Sequence, residues 1–336
     1  MAKKRRNIQM DKKLWRLEDG ITFSALSKWL DCREQFTLQW IYGLSPKSIS
    51  IPLEFGSLFH SALEHQFEGD PYEIIDKVIR KYKEERLKTI TSSSQKDSLE
   101  YVIGLARITY PMYCEYWNAD DKKINWIKRE QKFAVPHIVD VNGEPREILL
   151  RGMIDGLYQV RNKFGVFETK TKDKISEYEI QTALHSDMQT MMYCFAAKLL
   201  TGSYPNQIKY NIVRRTSKYW KKNHTLHDYL GEVLQDIKDR KDFYFMRFTV
   251  DVYQDEIEDF VENTLNPILR LFIQWWDSVK KNVDERFNSP YHFLNSNALV
   301  GKYGKSAMWE AIFGNTKPYF IRDSVFPELE ESIPTT

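Results

Sequence analysis

Two carboxylates and a lysine lie close together in the middle of this sequence. Asp155 ends the segment Arg151-Gly-Met-Ile-Asp155, and it precedes the segment Val166-Phe-Glu168-Thr-Lys170. Glu168 and Lys170 are two residues apart, so on an extended strand their side chains point to the same face. Two carboxylates at one point repel each other unless a cation lies between them, and oxygen ligands of this kind suit Mg²⁺ or Mn²⁺. With such a metal, a lysine that orients or deprotonates water has the chemistry for hydrolysing a phosphodiester bond.

A hairpin is needed to bring Asp155 beside Glu168. Residues 157–160 are typical of a strand end, residues 161–164 of a turn, and Gly165 of the start of a returning strand. Each carboxylate follows apolar residues, which is typical of buried strands and not of a solvated polar face. A charge at the end of a buried strand needs a partner. The alternative interpretation is that Asp155 and Glu168 are ordinary solvated carboxylates on the surface.

A histidine on a helix is the next candidate for this site. His60 ends the segment Phe55-Gly-Ser-Leu-Phe-His60, on an apolar helical stretch that continues through Phe67. His60 is therefore a candidate metal ligand. The alternative is a half-buried core histidine, which is how we interpret the neighbouring His65.

Two later segments carry polar groups that fit the same site. Gln189 and Tyr193 are four residues apart on one face of a helix predicted from about residue 177 to 200. A strand-to-helix crossover would place that face over the strands. The segment Asn211-Ile-Val-Arg-Arg215 ends the next predicted strand, and Arg214 and Arg215 make it a candidate phosphate clamp.

The order of these motifs resembles the RecB-like branch of the PD-(D/E)XK nuclease superfamily, which includes phage exonuclease-like proteins and CRISPR-associated adaptation nucleases. The resemblance spans roughly residues 21–315. It rests on five segments in the same order: the opening helix Phe23–Phe36, Gly56 to His60, Gly152 to Asp155, Glu168-Thr-Lys170, and Gln189 to Tyr193.

The resemblance implies a role for each matched residue. The implied metal ligands are His60, Asp155, Glu168 and the carbonyl of Thr169. Lys170 would serve the hydrolytic water, and Gln189 and Tyr193 would contact substrate or steady the lysine. Glu130, in Trp126-Ile-Lys-Arg-Glu130, resembles an acidic position often found there, and an exposed strand glutamate is an equally good interpretation.

Several relatives hold an iron–sulfur cluster with one cysteine in the opening helix and three near the carboxyl end. The cysteines of this chain are Cys32, Cys114 and Cys194. One cysteine in the opening helix does not ligate a cluster, so none is expected here, and the expected cofactor is Mg²⁺ or Mn²⁺. We predict that Trp309, Phe313 and other apolar groups join the two ends of the chain instead.

Composition limits the class of protein. With 336 residues and 42% hydrophobic content, the chain can bury a sizeable core in one elaborated domain or two intimate ones. A net charge of +2 excludes a wholly basic coat for nucleic acid, so DNA contacts must come from local patches. The basic segment Lys3–Arg6 lacks a following apolar stretch, and no segment reaches membrane-spanning length. A cytoplasmic location without membrane partners is expected, which is the bacterial host cytoplasm if a phage encodes the chain; a nuclear address in a eukaryotic host is the alternative.

The predicted fold is α/β, with a restriction-endonuclease-like mixed central sheet flanked by helices and a helical amino-terminal portion. Helices are predicted over 22–42, 54–68, 71–88, 97–118, 177–200, 228–241 and 254–280, strands over 126–137, 147–160, 164–171, 207–213 and 243–250, and a loop over 91–95. The predicted organisation is a mobile basic tail over 1–20, the helical portion contributing His60 over 21–120, the nuclease core with carboxyl-terminal helices over 121–315, and a tail over 316–336.

The function predicted from these features is metal-dependent DNA hydrolysis by activated water, with exonuclease action favoured. The resemblance implies a setting in phage or bacterial DNA replication, recombination or repair. The expected partner is single- or double-stranded DNA, and a homo-oligomer or a recombination or replication protein is left open. The alternatives are a catalytically silent DNA-binding scaffold on the same fold and a restriction-like or tRNA-processing enzyme.

Overall fold

The structure, a computed structural model, describes residues 13–88, 90, 92–173, 187–221, 223–301 and 304–330. The helices are α1 Phe23–Asp31, α2 Arg33–Phe36, α3 Ile51–Glu64, α4 Pro71–Leu87, α5 Ser93–Asp121, α6 Met188–Thr201, α7 Leu226–Asp239, α8 Lys241–Tyr244, α9 Gln254–Phe260, α10 Asn266–Val279 and α11 Trp309–Ile312. Shorter turns are the 3₁₀ helices Leu17–Asp19, Val283–Asn288, Ser296–Ala298 and Pro327–Leu329 and the π turns Thr37–Ile41 and Val261–Leu265. The strands are β1 Ile21–Thr22, β2 Leu44–Pro46, β3 Asn125–Val141, β4 Glu144–Val160, β5 Lys163–Lys172, β6 Gln207–Arg214, β7 Phe245–Asp251, β8 Val300–Gly301, β9 Gly304–Lys305 and β10 Tyr319–Ile321.

Helix starts follow from capping side chains. Helix α5 begins with a capping box, in which the Ser92 hydroxyl accepts from the Gln95 N–H and the Gln95 side chain accepts from the Ser92 N–H. The loop predicted over 91–95 is therefore wrong from Ser93 onward, because serine and glutamine at this spacing begin a helix. Helix α6 begins at the Asp187 carboxylate, which accepts from the Thr190 N–H. The first part of the helix predicted over 177–200 lies outside the described residues.

The central sheet is mixed, which confirms the predicted fold class. Its strand order is β1-β4-β5-β6-β7, with β3 also paired to β4. The pairs β3·β4, β4·β5 and β6·β7 are antiparallel, while β1·β4 and β5·β6 are parallel. The α6 crossover connects the parallel pair β5 and β6, as such a connection requires. The predicted hairpin over 157–165 is confirmed, with Val160 paired to Lys163.

Strands β4 and β5 separate halfway along their length. Their pairing runs from Val160↔Lys163 to Gly156↔Phe167. Beyond Phe167, strand β5 continues beside β6 to Lys172. Strand β3 lines the other edge of β4 along almost its whole length, and β1 pairs with Leu150 and Arg151. The edge of β4 that faces β5 is therefore unpaired from Gly152 to Asp155. We call this opening the β4–β5 split.

The sheet lies between two hydrophobic cores. One contains residues of α1, α6 and α10, including Trp29, Met192 and Trp275, packed against strand residues such as Ile154. The other joins α3, α4, α5 and α7 to the ends of β6 and β7 through residues such as Phe59. The helical portion thus holds α3, and with it His60, against the sheet.

The two ends of the described chain meet in the fold. Strand β10 pairs antiparallel with β2, and the side chain of Trp15 is fully buried in the first core. Part of the segment predicted as a mobile tail over 1–20 therefore packs on the core; residues 1–12 lie outside the described residues. Strand β10 lies in the segment predicted as a tail over 316–336.

A buried ion cluster fastens the opening helices to the carboxyl-terminal part. Arg286 Nε and Nη2 donate to the two oxygens of Glu34, each over 2.6 Å, and His292 Nε2 lies 3.1 Å from Glu34 Oε2. The predicted role of Trp309 and Phe313 in this joint is wrong for Phe313, which is 58% exposed and packs on Trp309. Arg286 and His292 supply the partners that the buried Glu34 needs. Other apolar groups also join the two ends, as predicted, since Met308 and Ala311 lie in the same core as Trp15.

Candidate active site

Three elements bring acidic and imidazole groups to the β4–β5 split. Helix α3 carries His60, strand β3 carries Glu130 and strand β4 carries Asp155. One potential ligand atom from each of these residues lies within 4.8 Å of those of the other two. His60 Nδ1 is 3.5 Å from Asp155 Oδ1 and 4.0 Å from Glu130 Oε1. This spacing is that of a group able to hold a cation.

The split also explains how Asp155 is fixed. Thr169 lies on β5 beyond the last residue paired to β4, and its backbone N–H donates to Asp155 Oδ2 over 2.6 Å. Burial disfavours the charge of Asp155, but His60, Lys170 and this N–H outweigh burial and lower its pKa below the usual range. Asp155 is therefore a carboxylate at neutral pH. Its side chain accepts the hydrogen bond that the Thr169 N–H would otherwise donate to a backbone carbonyl of β4.

Glu130 is the buried strand-β3 member of the group. Its residue is 8% exposed, and its φ of 45° is in the left-handed region, which a non-glycine strand residue adopts at a cost. Burial, followed by the charge of Asp155, raises its pKa well above the usual value. Neither carboxyl oxygen has a hydrogen-bond donor within the described residues. The expectation of an exposed strand glutamate as an equal alternative is therefore wrong for Glu130.

Glu168 and Lys170 lie on the same face of β5, as predicted. Lys170 Nζ donates to Glu168 Oε1 over 2.5 Å, while Glu168 Oε2 has no donor within the described residues. Burial raises the pKa of Glu168 to about 7, although Lys170 opposes that rise. Burial also disfavours the ammonium of Lys170, but Glu168 outweighs burial and raises the lysine pKa above its usual value. Lys170 is thus a cation at neutral pH.

His60 carries a charge in the metal-free site. Burial alone would lower its pKa, but Asp155, followed by Glu130 and Glu168, raises the value to about 9. The side chain retains 26% exposure. A protonated His60 thus offsets part of the negative charge of the surrounding carboxylates.

Two residues of α6, Gln189 and Tyr193, lie near Lys170 of β5. Lys170 Nζ donates to Gln189 Oε1 over 2.6 Å, and Gln189 Nε2 donates to the Tyr193 hydroxyl over 3.0 Å. Tyr193 is 8% exposed and packs edge-on against Phe133. Gly152 permits this arrangement, because a Cβ there would lie 2.8 Å from Phe133 and 3.2 Å from Tyr193. Of the two roles left open for this pair, its contacts match that of steadying the lysine.

A buried polar row lies across the sheet beside the site. Thr169, Asn211 and Arg247 are register partners on β5, β6 and β7. Asn211 Nδ2 donates to Thr169 Oγ1 over 3.1 Å, and Arg247 Nε donates to Asn211 Oδ1 over 3.0 Å. Arg247 is also paired to Asp121 at 2.5 Å and to the Tyr113 hydroxyl at 2.8 Å. Asn211, predicted as part of a phosphate clamp, is fully buried and holds Thr169 instead.

The two predicted clamp arginines lie beyond the site at the end of β6. Arg214 pairs in register with Lys172, two residues past Lys170, and its guanidinium lies 3.8 Å above the ring of Phe243. Arg215 lies 3.7 Å from the carboxylate of Asp173. The structure thus brings His60, Glu130 and Asp155 together, while Glu168 lies outside that group of three and pairs with Lys170, and Arg214 and Arg215 lie at the margin.

The residues at the split fit a divalent cation. Three carboxyl oxygens, two on Glu130 and one on Glu168, are buried without a donor among the described residues. Uncompensated buried carboxylates are costly, and a hard cation supplies what they lack. The carboxylate oxygens of this group suit Mg²⁺ or Mn²⁺. The three cysteines are each buried and free.

A family model for the PD-(D/E)XK nuclease superfamily matches residues 21–277. The chain belongs to this superfamily. Membership implies a nucleic-acid substrate and a hydrolase of the nuclease class, and members of the superfamily typically use a divalent metal.

Other comparisons add little. No curated protein matches the chain. Fourteen chains of solved structures match, and one, titled "Crystal structure of SSO0001", is 13% identical with a TM-score of 0.28, covering 66% of this chain and 98% of that chain. A TM-score of this size carries no argument about this protein. Among the described residues, no helix combines the length and the apolar composition needed to cross a bilayer.

Proposed function

We propose that this protein is a Mg²⁺- or Mn²⁺-dependent DNA nuclease whose active site is the β4–β5 split. The observation that carries the proposal is the convergence there of His60, Glu130 and Asp155, with the buried pair of Glu168 and Lys170 on the neighbouring strand and with three carboxyl oxygens that have no donor within the described residues. The alternative is a core histidine beside ordinary surface carboxylates. Such carboxylates would be exposed, whereas Glu130, Asp155 and Glu168 are buried.

The proposed metal ligands are His60, Asp155, Glu168 and the Thr169 carbonyl, to which we add Glu130. A divalent ion bound there would activate water and neutralise charge that develops on the phosphate. The chain supplies the rest of the chemistry. Lys170, held as an ammonium, orients the attacking water by donating to it and offsets negative charge, so we favour this role over proton abstraction.

We propose that Gln189 acts through Lys170 and that Tyr193 acts through Gln189, because a direct hydrogen bond joins Lys170 to Gln189 and another joins Gln189 to Tyr193. Arg214 and Arg215 remain proposed phosphate contacts. Arg214 ends β6 and Arg215 follows it, and β6 pairs with β5, the strand that carries Thr169 and Lys170, so a nucleic-acid strand leaving the split toward that end would pass both arginines.

The preference for DNA and for exonuclease action is part of this proposal. It rests on the order of motifs shared with the RecB-like branch, as does the proposed setting in phage or bacterial DNA replication, recombination or repair. A homo-oligomer or a recombination or replication partner would decide which DNA ends reach the split. We propose action in the cytoplasm.

The test is degradation of end-labelled linear DNA, single- and double-stranded, beside closed circular DNA, with Mn²⁺, Mg²⁺ or a chelator. Wild type is compared with Lys170→Ala and with the matched control Lys163→Ala, which removes a lysine from the exposed start of the same strand. We expect metal-dependent loss of linear DNA in wild type and the control, and a loss of activity of at least about 100-fold in Lys170→Ala.

Each other outcome has a definite meaning. Cutting of circles would establish an endonuclease. Cleavage of RNA alone would favour the tRNA-processing alternative. Binding of DNA without cleavage by wild type would establish the silent scaffold and overturn the proposed activity.

A further inference from the structure

We propose that Arg129, held against the rings of Phe67 and Trp126, binds a backbone phosphate of the nucleic-acid strand beside the metal-ligand group. We call these three residues the Arg129 clamp. This inference rests on the proposed function for its ligand, and it assigns a substrate-binding site on the side of the split that β3 and the end of α3 form.

The position of Arg129 places it at the edge of the candidate active site. It immediately precedes Glu130, and it pairs in register with Gly156, the residue that follows Asp155. Phe67 lies in the turn after α3, the helix that carries His60. Two elements that supply metal-ligand candidates therefore also supply the clamp.

Aromatic rings hold the guanidinium in place. Its central carbon lies 4.3 Å from the ring centroid of Trp126 and 5.4 Å from that of Phe67, and the two ring centroids are 6.3 Å apart. The Trp126 ring is itself fixed edge-on against Phe167 at 5.0 Å. Ring contacts of this kind fix the plane of a guanidinium without using its N–H groups as hydrogen-bond donors.

Two nitrogens of this guanidinium lack acceptors. Nε and Nη1 of Arg129 are buried, and within the described residues neither has a hydrogen-bond partner. Arg247 is paired to Asp121 and Arg286 to Glu34, whereas Arg151, Arg214 and Arg215 each have one buried nitrogen, Nε, without a partner; among the described residues, Arg129 has two. A buried N–H without an acceptor is costly, so its persistence in Arg129 indicates an anionic ligand.

A phosphate fits this arrangement better than a carboxylate side chain does. The guanidinium fork binds phosphate oxygens through two parallel N–H donors, and a nucleic-acid strand that reaches the split carries a phosphate at every nucleotide. The ring of Phe67 is 55% exposed and offers a stacking surface for a base next to that phosphate. The clamp therefore suits a single strand.

Binding in chelator tests this inference without cleavage. The probe is a fluorescein-labelled single-stranded oligonucleotide, and its anisotropy is measured over a range of salt for wild type, Arg129→Gln, Arg129→Lys and the control Arg107→Gln. Arg107 is an exposed arginine of α5. We expect Arg129→Gln to raise Kd about 10-fold and to reduce the slope of log Kd against log salt by about 0.7, the value for one phosphate contact on a single strand. Arg129→Lys should restore the slope and only part of the affinity, because lysine keeps the charge and loses the fork.

A second readout separates phosphate binding from loss of folding. Oligonucleotides with one neutral methylphosphonate at successive positions should show one position at which wild type loses affinity and Arg129→Gln does not. If the Kd and salt slope of Arg129→Gln equal those of wild type, the clamp is refuted even when wild type cuts DNA. If the slope falls as expected while wild type cuts nothing, the clamp stands and the proposed nuclease activity fails.

Discussion

Lys170 of strand β5 and Gln189 of helix α6 are joined by a hydrogen bond of 2.6 Å, which the Tyr193 hydroxyl extends by accepting from Gln189. The ammonium is thus oriented from the helix as well as from Glu168. This double attachment fixes the position of the ammonium, as the proposed role of Lys170 requires.

Replacing Gln189 tests whether it acts through Lys170. We expect Gln189→Ala to lower kcat about 10-fold with little change in KM, since the lysine loses one of its two acceptors and not its charge. The measurement is steady-state cleavage of linear DNA, with Gln235→Ala on the exposed face of α7 as the control. A raised KM with unchanged kcat would instead assign Gln189 to direct substrate contact.

Metal binding should release protons. His60 has a pKa of about 9 in the metal-free site and must lose its proton to act as a ligand, so the affinity for Mn²⁺ should rise about tenfold per pH unit from pH 7 to 9. Calorimetric titration in two buffers of different ionisation enthalpy measures the protons released. His60→Ala should release fewer; equal release by the variant and wild type would show that the proton comes from another group.

Metal-free stability should depend on pH through Glu168. Its pKa is about 7 in the fold against an ordinary value of 4.5, so between these values the folded state binds more protons than the unfolded state. The free energy of unfolding therefore falls as the pH rises from 4.5 through 7, by a contribution on the order of 3 kcal/mol. Urea unfolding in chelator should show Glu168→Gln gaining stability relative to wild type across this window. A difference that does not change with pH would contradict the assignment.

The buried polar row beside the site should contribute to the stability of the fold. Arg247→Met leaves Asp121 buried with Gln66 as its remaining side-chain partner, so the free energy of unfolding should fall by about 3–5 kcal/mol. The exposed pair Arg107–Asp76 provides the comparison, since Arg107→Met should cost less than about 1 kcal/mol. Similar losses in the two variants, measured by urea unfolding, would mean that Asp121 finds water or another cation.

The sequence predicted the strands that carry Asp155, Glu168 and Lys170 because their apolar residues form continuous runs, and local turn residues determine the hairpin between them. The mixed sheet follows from the alternation of these strands with helices. The contact between Lys170 and Gln189 follows from the helix that connects β5 to β6.

The sequence could not determine the surroundings of Glu130. It lies among Lys128 and Arg129 in a strand with many charges, and its burial depends on α3 and β4 packing over it. The sequence likewise could not determine that Asn211 points into the fold and not toward a phosphate. Its inward direction depends on the register of three strands, and the partner Arg247 is 36 residues away. Such non-local pairings leave no periodic signal in one sequence.

The bond between Glu34 and Arg286 sets an order of events during synthesis. The ribosome makes Glu34 252 residues before Arg286, a delay on the order of tens of seconds. Until Arg286 emerges, burying the Glu34 carboxylate would leave a charge without a counter-ion. We therefore expect the carboxylate of Glu34 to stay hydrated in the nascent chain, and the opening helices to pack fully only after Arg286 has been translated.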